Sequence, residues 1–185
     1  MPAFAVLLRG VNVGGGNRVP MAEFRALLEG LGYTGVRTLL NSGNAVFRAA
    51  AGPPVSHAAR IAEALADALD VRVPVIVKTA REVAAIVAGN PLTVSADLHA
   101  KCLVVFTQRP ADLTALRFVE ALVTPPERFA IGDRAAYLVC PRGISQSDAA
   151  LALLGKAGRS VTTRNLATTL KLLALLQPSS EKGRS

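Results

Sequence analysis

The chain has 185 residues, of which 51% are hydrophobic, and it carries a formal net charge of +8. This length and composition support one domain of ordinary size or two small domains packed together. Aromatic residues are scarce, with no Trp, two Tyr and six Phe, which argues against a base-stacking surface for single-stranded nucleic acid. The arginines are spaced singly rather than in runs. The excess positive charge therefore favours acidic partners in general. A DNA-binding face would need the arginines on one surface of the folded protein, which the sequence alone does not show.

The sequence shows no pattern of a membrane-spanning or secretory segment. No stretch approaches the roughly 18 to 20 uninterrupted apolar residues that a transmembrane helix needs, and the N-terminus lacks the pattern of a signal peptide. We therefore expect a cytoplasmic protein without a membrane partner. Cys102 and Cys140 lie in apolar runs outside any metal-binding spacing, and His57 and His99 have no candidate ligands near them in sequence. We therefore predict no metal site and no cofactor.

The first predicted elements are a buried strand, a polar glycine loop and a helix. The apolar run from Phe4 to Leu8 predicts the strand, and Pro20 opens the helix. The loop between them contains the candidate ligand-binding residues Arg9, Asn12, Gly14, Gly15, Asn17 and Arg18. Backbone N–H groups without shielding side chains, together with two arginines, suit this loop to hold a phosphate or carboxylate. A tight strand-to-helix connection that requires positive φ explains the glycines equally well, so both interpretations stay open.

The remainder of the first half is predicted as a hairpin, a helix and a strand. Apolar runs at 36–40 and 45–47 flank a turn that exposes Ser42 and Asn44. These two residues are candidate ligand contacts, although such residues are more often simple turn formers. An alanine-rich helix and a strand at 71–78 complete the order β-α-β-β-α-β. Pro74 cannot donate to a ladder, so we expect this last strand at a sheet edge, where a split β-α-β arrangement also places it.

The second half repeats the same order of elements. Residues 90–100 are polar and irregular, and we place the boundary there, with one half at 1–90 and the other at 91–178. The second half is predicted to contain strands at 101–107, 128–132 and 135–139, with helices at 110–122 and 149–154. The predicted fold class is therefore α+β, with two packed ferredoxin-like halves, antiparallel sheets and a C-terminal helix. Residues 179–185 are predicted to be a disordered tail.

The last helix is predicted from Arg164 to Leu176, with Thr162 or Thr163 as its cap. Arg164, Thr168 and Lys171 would then share one helix face. A polar stripe beside a helix N-terminus can be an ordinary solvated surface, or it can be an anion site assisted by the helix dipole. Arg164, Asn165 and Lys171 are therefore candidate ligand-binding residues, and both interpretations remain open.

Three of these stretches together resemble a bacterial family of uncharacterised proteins, the domain of unknown function 1697 family. The stretches are Leu7-Leu-Arg-Gly-Val-Asn-Val-Gly-Gly-Gly-Asn17, Asn41-Ser-Gly-Asn44 followed by Ala-Val-Phe47, and Thr162-Thr-Arg-Asn165 with Thr168, Thr169 and Lys171. The similarity extends over about residues 2 to 176 and implies two packed ferredoxin-like halves, without an established activity. The chain departs from the family pattern at Leu166, where Trp is usual, and at Asp148, where a basic residue is common.

The three motifs lead to a hypothesis about function. No carboxylate lies within them, and no Ser or Cys has the surroundings of a nucleophile, so catalytic residues stay unassigned. We expect the motifs to converge on one basic, glycine-lined pocket that binds a small phosphorylated or nucleotide-like ligand, or the backbone of a nucleic acid. The alternative is an enzyme that acts on such a ligand. A monomer or weak homodimer is expected, because the sequence has no self-association heptad.

Overall fold

The computed structural model describes residues 1–177, which form two four-stranded antiparallel sheets. The first sheet contains β1 (Ala3–Leu8), β2 (Thr34–Leu39), β3 (Asn44–Arg48) and β4 (Val75–Thr79), in the order β2-β3-β1-β4. The second sheet contains β5 (Cys102–Phe106), β6 (Arg128–Ile131), β7 (Ala135–Val139) and β8 (Thr162–Asn165), in the order β6-β7-β5-β8. The two orders are equivalent. The predicted α+β fold of two ferredoxin-like halves is therefore confirmed.

Helices cover both sheets. The α-helices within residues 1–177 are α1 (Met21–Gly30), α2 (Pro54–Leu69), α3 (Ala80–Ala88), α4 (Asp148–Leu154) and α5 (Leu166–Leu176). Shorter 3₁₀ segments lie at Ala96–Lys101, Ile144–Gln146 and Lys156–Gly158. The helix predicted at 110–122 is present over that range, but it is a 3₁₀ helix, Pro110–Leu122. No helix of the described residues is long and apolar enough to cross a membrane.

Alternate residues of β1 pack into two different cores. Its even-numbered side chains pack with α1 and α2, whereas Ala5 and Leu7 pack between the two sheets. β5 behaves in the same way, with Val104 in the shared core and Leu103 in an outer core beneath α4. Helices α3 and α5 complete the shared core. The two halves are thus held together by one continuous apolar layer.

The prediction that the strand near Pro74 lies at a sheet edge is confirmed, although the strand begins at Val75 and not at residue 71. β4 is the terminal strand of the first sheet, and Pro74 stands immediately before it. Gln108 of the second half covers part of this edge, because its side-chain amide accepts from the Val77 N–H (3.0 Å) and donates to the Val77 carbonyl (3.3 Å). The buried Lys78 also donates to the Gln108 carbonyl at 3.0 Å. Gln108 therefore protects the edge that Pro74 begins.

The main correction to the sequence prediction concerns residues 162–165. The sequence predicts a helix from Arg164, but these residues form β8, and α5 begins at Leu166. Asn165 is the N-cap of α5, since its Oδ1 accepts from the Thr168 N–H at 2.8 Å. The adjacent β-branched residues Thr162 and Thr163 favour an extended backbone. Because Asn165 caps the helix, α5 begins after it and not at Arg164. Arg164 therefore lies in a sheet and does not share a helix face with Lys171.

Helix α3 lies just before the predicted boundary between the halves. This helix belongs to the first half by sequence, but it packs against α5 in the shared core. The division into domains at 1–90 and 91–178 stays a prediction. The tail predicted at 179–185 lies outside the described residues.

An aromatic cluster beside α2 encloses a histidine. The ring of His57 lies 4.7 Å from Phe4, 5.4 Å from Tyr33 and 5.8 Å from Phe47, measured between ring centroids. Its Nδ1 is 2.9 Å from the Tyr33 Oη, while its Nε2 has no hydrogen-bond partner among residues 1–177. Burial, and then the charge of Arg60, lowers the pKa of His57. The folded protein therefore favours the neutral imidazole.

Acidification should weaken the fold through this histidine. The unfolded chain binds the proton at higher pH than the folded chain does, so the free energy of unfolding falls as pH drops below about 6.5 towards the lowered folded pKa. We expect wild type to lose more stability than His57→Gln between about pH 7.5 and pH 5, measured by urea unfolding. Identical pH dependence in wild type and His57→Gln would contradict this prediction.

Candidate functional site

Arg164 lies where the three motifs meet. We call this junction the seam; it consists of residues 8–9, 42–44 and 162–164. Arg164 is 8% exposed, and all five of its N–H donors have acceptors inside the protein. These are Asn44 Oδ1, Thr162 Oγ1 (2.8 Å) and the carbonyls of Thr163 (2.7 Å), Leu8 (2.6 Å) and Ser42 (2.9 Å). Because three of the acceptors belong to the first half, this side chain joins the halves.

Within residues 1–177, the charge of Arg164 has no carboxylate to neutralise it. None of the ion pairs within residues 1–177 includes this side chain. Burial lowers the pKa of Arg164 to about 10, so the guanidinium stays protonated at neutral pH. Neutral oxygens satisfy its donors but leave a net positive charge in a shielded place. An anion in neighbouring space is therefore attracted to the seam.

Arg9 also joins the two halves, but it extends from the first half to the second. From the end of β1 it reaches the C-terminus of α4, where its donors meet the carbonyls of Leu153 (3.2 Å), Leu154 (3.0 Å), Gly155 (2.8 Å) and Val161 (2.9 Å). The last carbonyls of a helix lack intrahelical donors, and a cation at that end complements the helix dipole. Arg9 is therefore a C-terminal cap that one half supplies to a helix of the other.

The asparagines of the motifs also have partners inside the protein. Asn12 donates to the carbonyls of Val19 (2.9 Å) and Asn41 (2.6 Å), and its Oδ1 accepts from the Val19 N–H (2.9 Å). These bonds close the glycine loop and tie it to the turn after β2. Asn44 is fully buried and accepts from the guanidinium in the seam. Asn165 caps α5, as described above.

The candidate residues line two cavities, and the stretch 10–18 contributes to both. The loop cavity has a volume of about 370 Å³ and lies at the start of α1, where it is lined by Asn12, Gly15, Gly16, Arg18, Met21 and Asn41 among others. The seam cavity has a volume of about 330 Å³, and its lining includes Arg9, Val13, Ser42, Leu154, Thr163 and Arg164. The structure thus brings the motifs to neighbouring cavities. Five of the eleven candidate residues line neither of the two: Gly14, Asn17 and Lys171 are exposed, Asn44 is buried and Asn165 is half-buried.

The loop cavity lies beside donors that have no partner within residues 1–177. Pro20 lines the cavity, precedes α1 and supplies no side-chain cap, and the N–H groups of residues 21–23, the first turn of α1, have no acceptor among the described residues. The same holds for the N–H group of Gly15, which also lines the cavity. Arg18 is exposed and forms no ion pair within residues 1–177. An uncapped helix N-terminus beside a free cation is the usual chemistry of an anion site.

Sequence reasoning missed part of both linings. Asn41 and Met21 line the loop cavity, and Val13, Leu154 and Thr163 line the seam cavity. Most of these residues lie within or beside the three motifs. Their position next to the motifs was therefore the one signal in the sequence that could have identified them as lining residues. Leu154 had no such signal, because the C-terminus of α4 meets the first half through the long-range hydrogen bonds from Arg9 to the carbonyls of Leu153 and Leu154.

The two departures from the family pattern lie away from both cavities. Leu166 is buried in the shared core. Asp148 is the exposed first residue of α4, where a negative charge complements the helix dipole. Neither residue lines the loop cavity or the seam cavity.

Comparison with known proteins identifies relatives without a described activity. The model of a family described as proteins of unknown function, DUF1697, matches residues 1–137. Among solved structures, a conserved bacterial protein from Streptococcus pneumoniae is similar over 95% of this chain and 99% of its own, with 26% sequence identity and a TM-score of 0.76. None of the curated proteins matches the chain. The two-half architecture is therefore shared along nearly the full length of both chains.

Proposed function

We propose that this chain, which belongs to the DUF1697 family of proteins of unknown function, binds a small phosphorylated or nucleotide-like ligand in the loop cavity. One observation carries the proposal: the Arg18 guanidinium, the glycine loop and the uncapped N-terminus of α1 surround a single space. All three features offer positive potential or free N–H donors. A phosphate group accepts several such bonds at once and is therefore the ligand group that suits them.

The size of the cavity limits the ligand. At about 30 Å³ for each water-sized group, a volume of about 370 Å³ holds roughly twelve non-hydrogen atoms. That accommodates a phosphate with a group of about seven non-hydrogen atoms attached, and a larger ligand would extend into solvent. The backbone phosphate of a nucleic acid presents the same chemistry at the same donors. We place this function in a bacterial cytoplasm, because phosphorylated metabolites are abundant there and the similar solved structure comes from a bacterium.

Removal of Arg18 should abolish the response to phosphate. We expect millimolar inorganic phosphate or a nucleoside monophosphate to raise the melting temperature of wild type, because a ligand that binds only the folded state stabilises it. Arg18→Ala should lose most of that rise and keep its fold, since Arg18 is exposed and unpaired within residues 1–177. Arg25→Ala is the matched control, because Arg25 lies on α1 but is paired with Glu29 at 2.9 Å. Glu23→Gln, which removes a carboxylate from the first turn of α1, should enlarge the rise.

The same proteins separate the related possibilities. An equal rise in wild type and Arg18→Ala, or none in wild type at about 10 mM phosphate, would refute the proposed site. Binding of a short duplex or single strand that weakens with salt and is lost in Arg18→Ala would identify nucleic acid backbone as the ligand. Turnover of a phosphate ester by wild type would extend the proposal to an enzyme.

A further inference from the structure

We infer that the seam cavity is a second binding site, which takes a small apolar carboxylate. This site is distinct from the loop cavity and does not depend on the function proposed for it. Its walls are mainly apolar, with Leu8, Val11, Val13 and Leu154 among the lining residues. Val13 is 61% exposed and Leu154 48% exposed, so these two form the open side of the cavity. Large apolar side chains that stay exposed around a concave space are typical of a binding site for apolar groups.

The charge at this cavity is positive. Arg164 and Arg9 are both lining residues, and neither guanidinium is paired with a carboxylate among residues 1–177. The positive charge of the Arg9 guanidinium is partly balanced by the negative end of the α4 helix dipole. Arg164 has no comparable offset, since its acceptors are neutral oxygens. One negative charge in the cavity would balance it.

Unused donors lie in the same wall. The N–H groups of the consecutive residues Gly10 and Val11 have no acceptor within residues 1–177. The Thr163 hydroxyl makes no hydrogen bond there, and the Ser42 hydroxyl accepts from Asn44 but donates to nothing. These four donors all belong to residues that line the cavity. They can bind the oxygens of an anion whose charge Arg164 attracts, although the guanidinium donors themselves are occupied.

The apolar walls of the seam cavity and the single unneutralised charge of Arg164 together favour a carboxylate over a phosphate. A phosphate dianion would have to shed a strongly held hydration shell against leucine and valine side chains. A carboxylate brings one charge, and its hydrocarbon part can cover Val13 and Leu154. The volume of about 330 Å³ holds roughly eleven non-hydrogen atoms, which corresponds to a carboxylic acid of about six to nine carbons.

Octanoate and its neutral analogue octanamide test the inference on the whole chain. Calorimetric titration should show saturable one-to-one binding of octanoate in about the millimolar range, and at least about tenfold weaker binding of octanamide. Leu154→Glu should weaken octanoate binding at least about tenfold, because it places a negative charge at the open side. Leu151→Glu is the matched control: Leu151 lies one turn earlier on α4, is 50% exposed and does not line the cavity. Val13→Glu repeats the test from the other wall if Leu154→Glu does not fold.

Further binding measurements distinguish this site from the loop cavity. Octanoate binding should be unchanged in Arg18→Ala and in the presence of about 10 mM phosphate. Thr163→Val, which removes one free hydroxyl at nearly constant volume, should weaken octanoate binding several-fold. Equal affinity for octanoate and octanamide, equal losses in Leu151→Glu and Leu154→Glu, or displacement of octanoate by phosphate would each overturn the assignment.

Discussion

Arg164→Met is expected to lower the free energy of unfolding by about 3 to 5 kcal/mol. Methionine has nearly the length of the arginine stem but no hydrogen-bond donor. The substitution therefore leaves Ser42 O and Asn44 Oδ1 without the donor that each has in the native seam, and Leu8 O keeps only the longer bond from the Thr162 hydroxyl at 3.4 Å. A buried acceptor that loses its partner costs about 1 to 3 kcal/mol. Since these acceptors come from the first half and Arg164 from the second, the loss falls on the contact between the halves.

The full sum of those costs is not expected, because the buried charge disappears as well. Moving a guanidinium out of water costs several kcal/mol, and the methionine variant is relieved of that cost. Arg164→Lys separates the two effects, since an ammonium keeps the charge but its three donors cannot satisfy five acceptors. We therefore expect Arg164→Lys to be destabilised by at least as much as Arg164→Met.

Urea unfolding monitored by circular dichroism measures both variants. Arg159→Met is the control, because Arg159 is exposed and lies outside the seam; its loss should stay within about 0.5 kcal/mol. A loss of less than about 1 kcal/mol in Arg164→Met would show that the seam does not depend on this side chain.

The order of elements was predictable because it rests on local signals. Periodic apolar residues, the turn at 41–44 and Pro74 each act within a few positions of the chain. β8 was not predictable in the same way, because the leucine pattern of α5 follows directly and two threonines can either cap a helix or extend a strand. Pairing of β8 with β5, some sixty residues earlier, decides between them. The twofold repeat of the fold was the remaining clue, since the first half ends in a strand at the equivalent place.

The polar motifs could be recognised from the sequence, but their partners could not. Arg164 meets Asn44 across 120 positions of sequence and Leu8 across 156 positions. In the sequence, a polar residue that bonds to such a remote partner looks the same as a polar residue that binds a ligand. The structure distinguishes the two kinds of residue, because the side chains of Arg9, Arg164 and Asn165 form hydrogen bonds within the protein. Arg18 and the N–H groups of Gly15 and of the first turn of α1 have no partner within residues 1–177, and for that reason the proposed function rests on them.

The glycine of the hairpin turn shows how closely the seam is packed. Gly43 has a φ of +79°, and a Cβ built on it would lie 2.7 Å from Leu8 Cβ and 2.7 Å from Val11 Cγ2. The neighbouring backbone is fixed as well, because the Leu8 N–H donates to the Gly43 carbonyl at 2.9 Å. An added methyl group therefore has no space without displacing β1 or the stretch that lines the seam cavity.

Gly43→Ala is accordingly expected to lower the free energy of unfolding by about 2 to 5 kcal/mol. The left-handed backbone contributes about 1 to 2 kcal/mol of this for a residue with a side chain, and overpacking of a filled space contributes about 1 to 3 kcal/mol. Gly14→Ala isolates the first contribution, because Gly14 has a φ of +60° but nothing within 4 Å of a built Cβ; its loss should stay near about 1 to 2 kcal/mol. Thermal and urea unfolding of the two variants measure the difference directly. Equal losses at both positions would mean that the seam yields to an added methyl group, and the close contact of the turn with Leu8 and Val11 would then contribute nothing to stability.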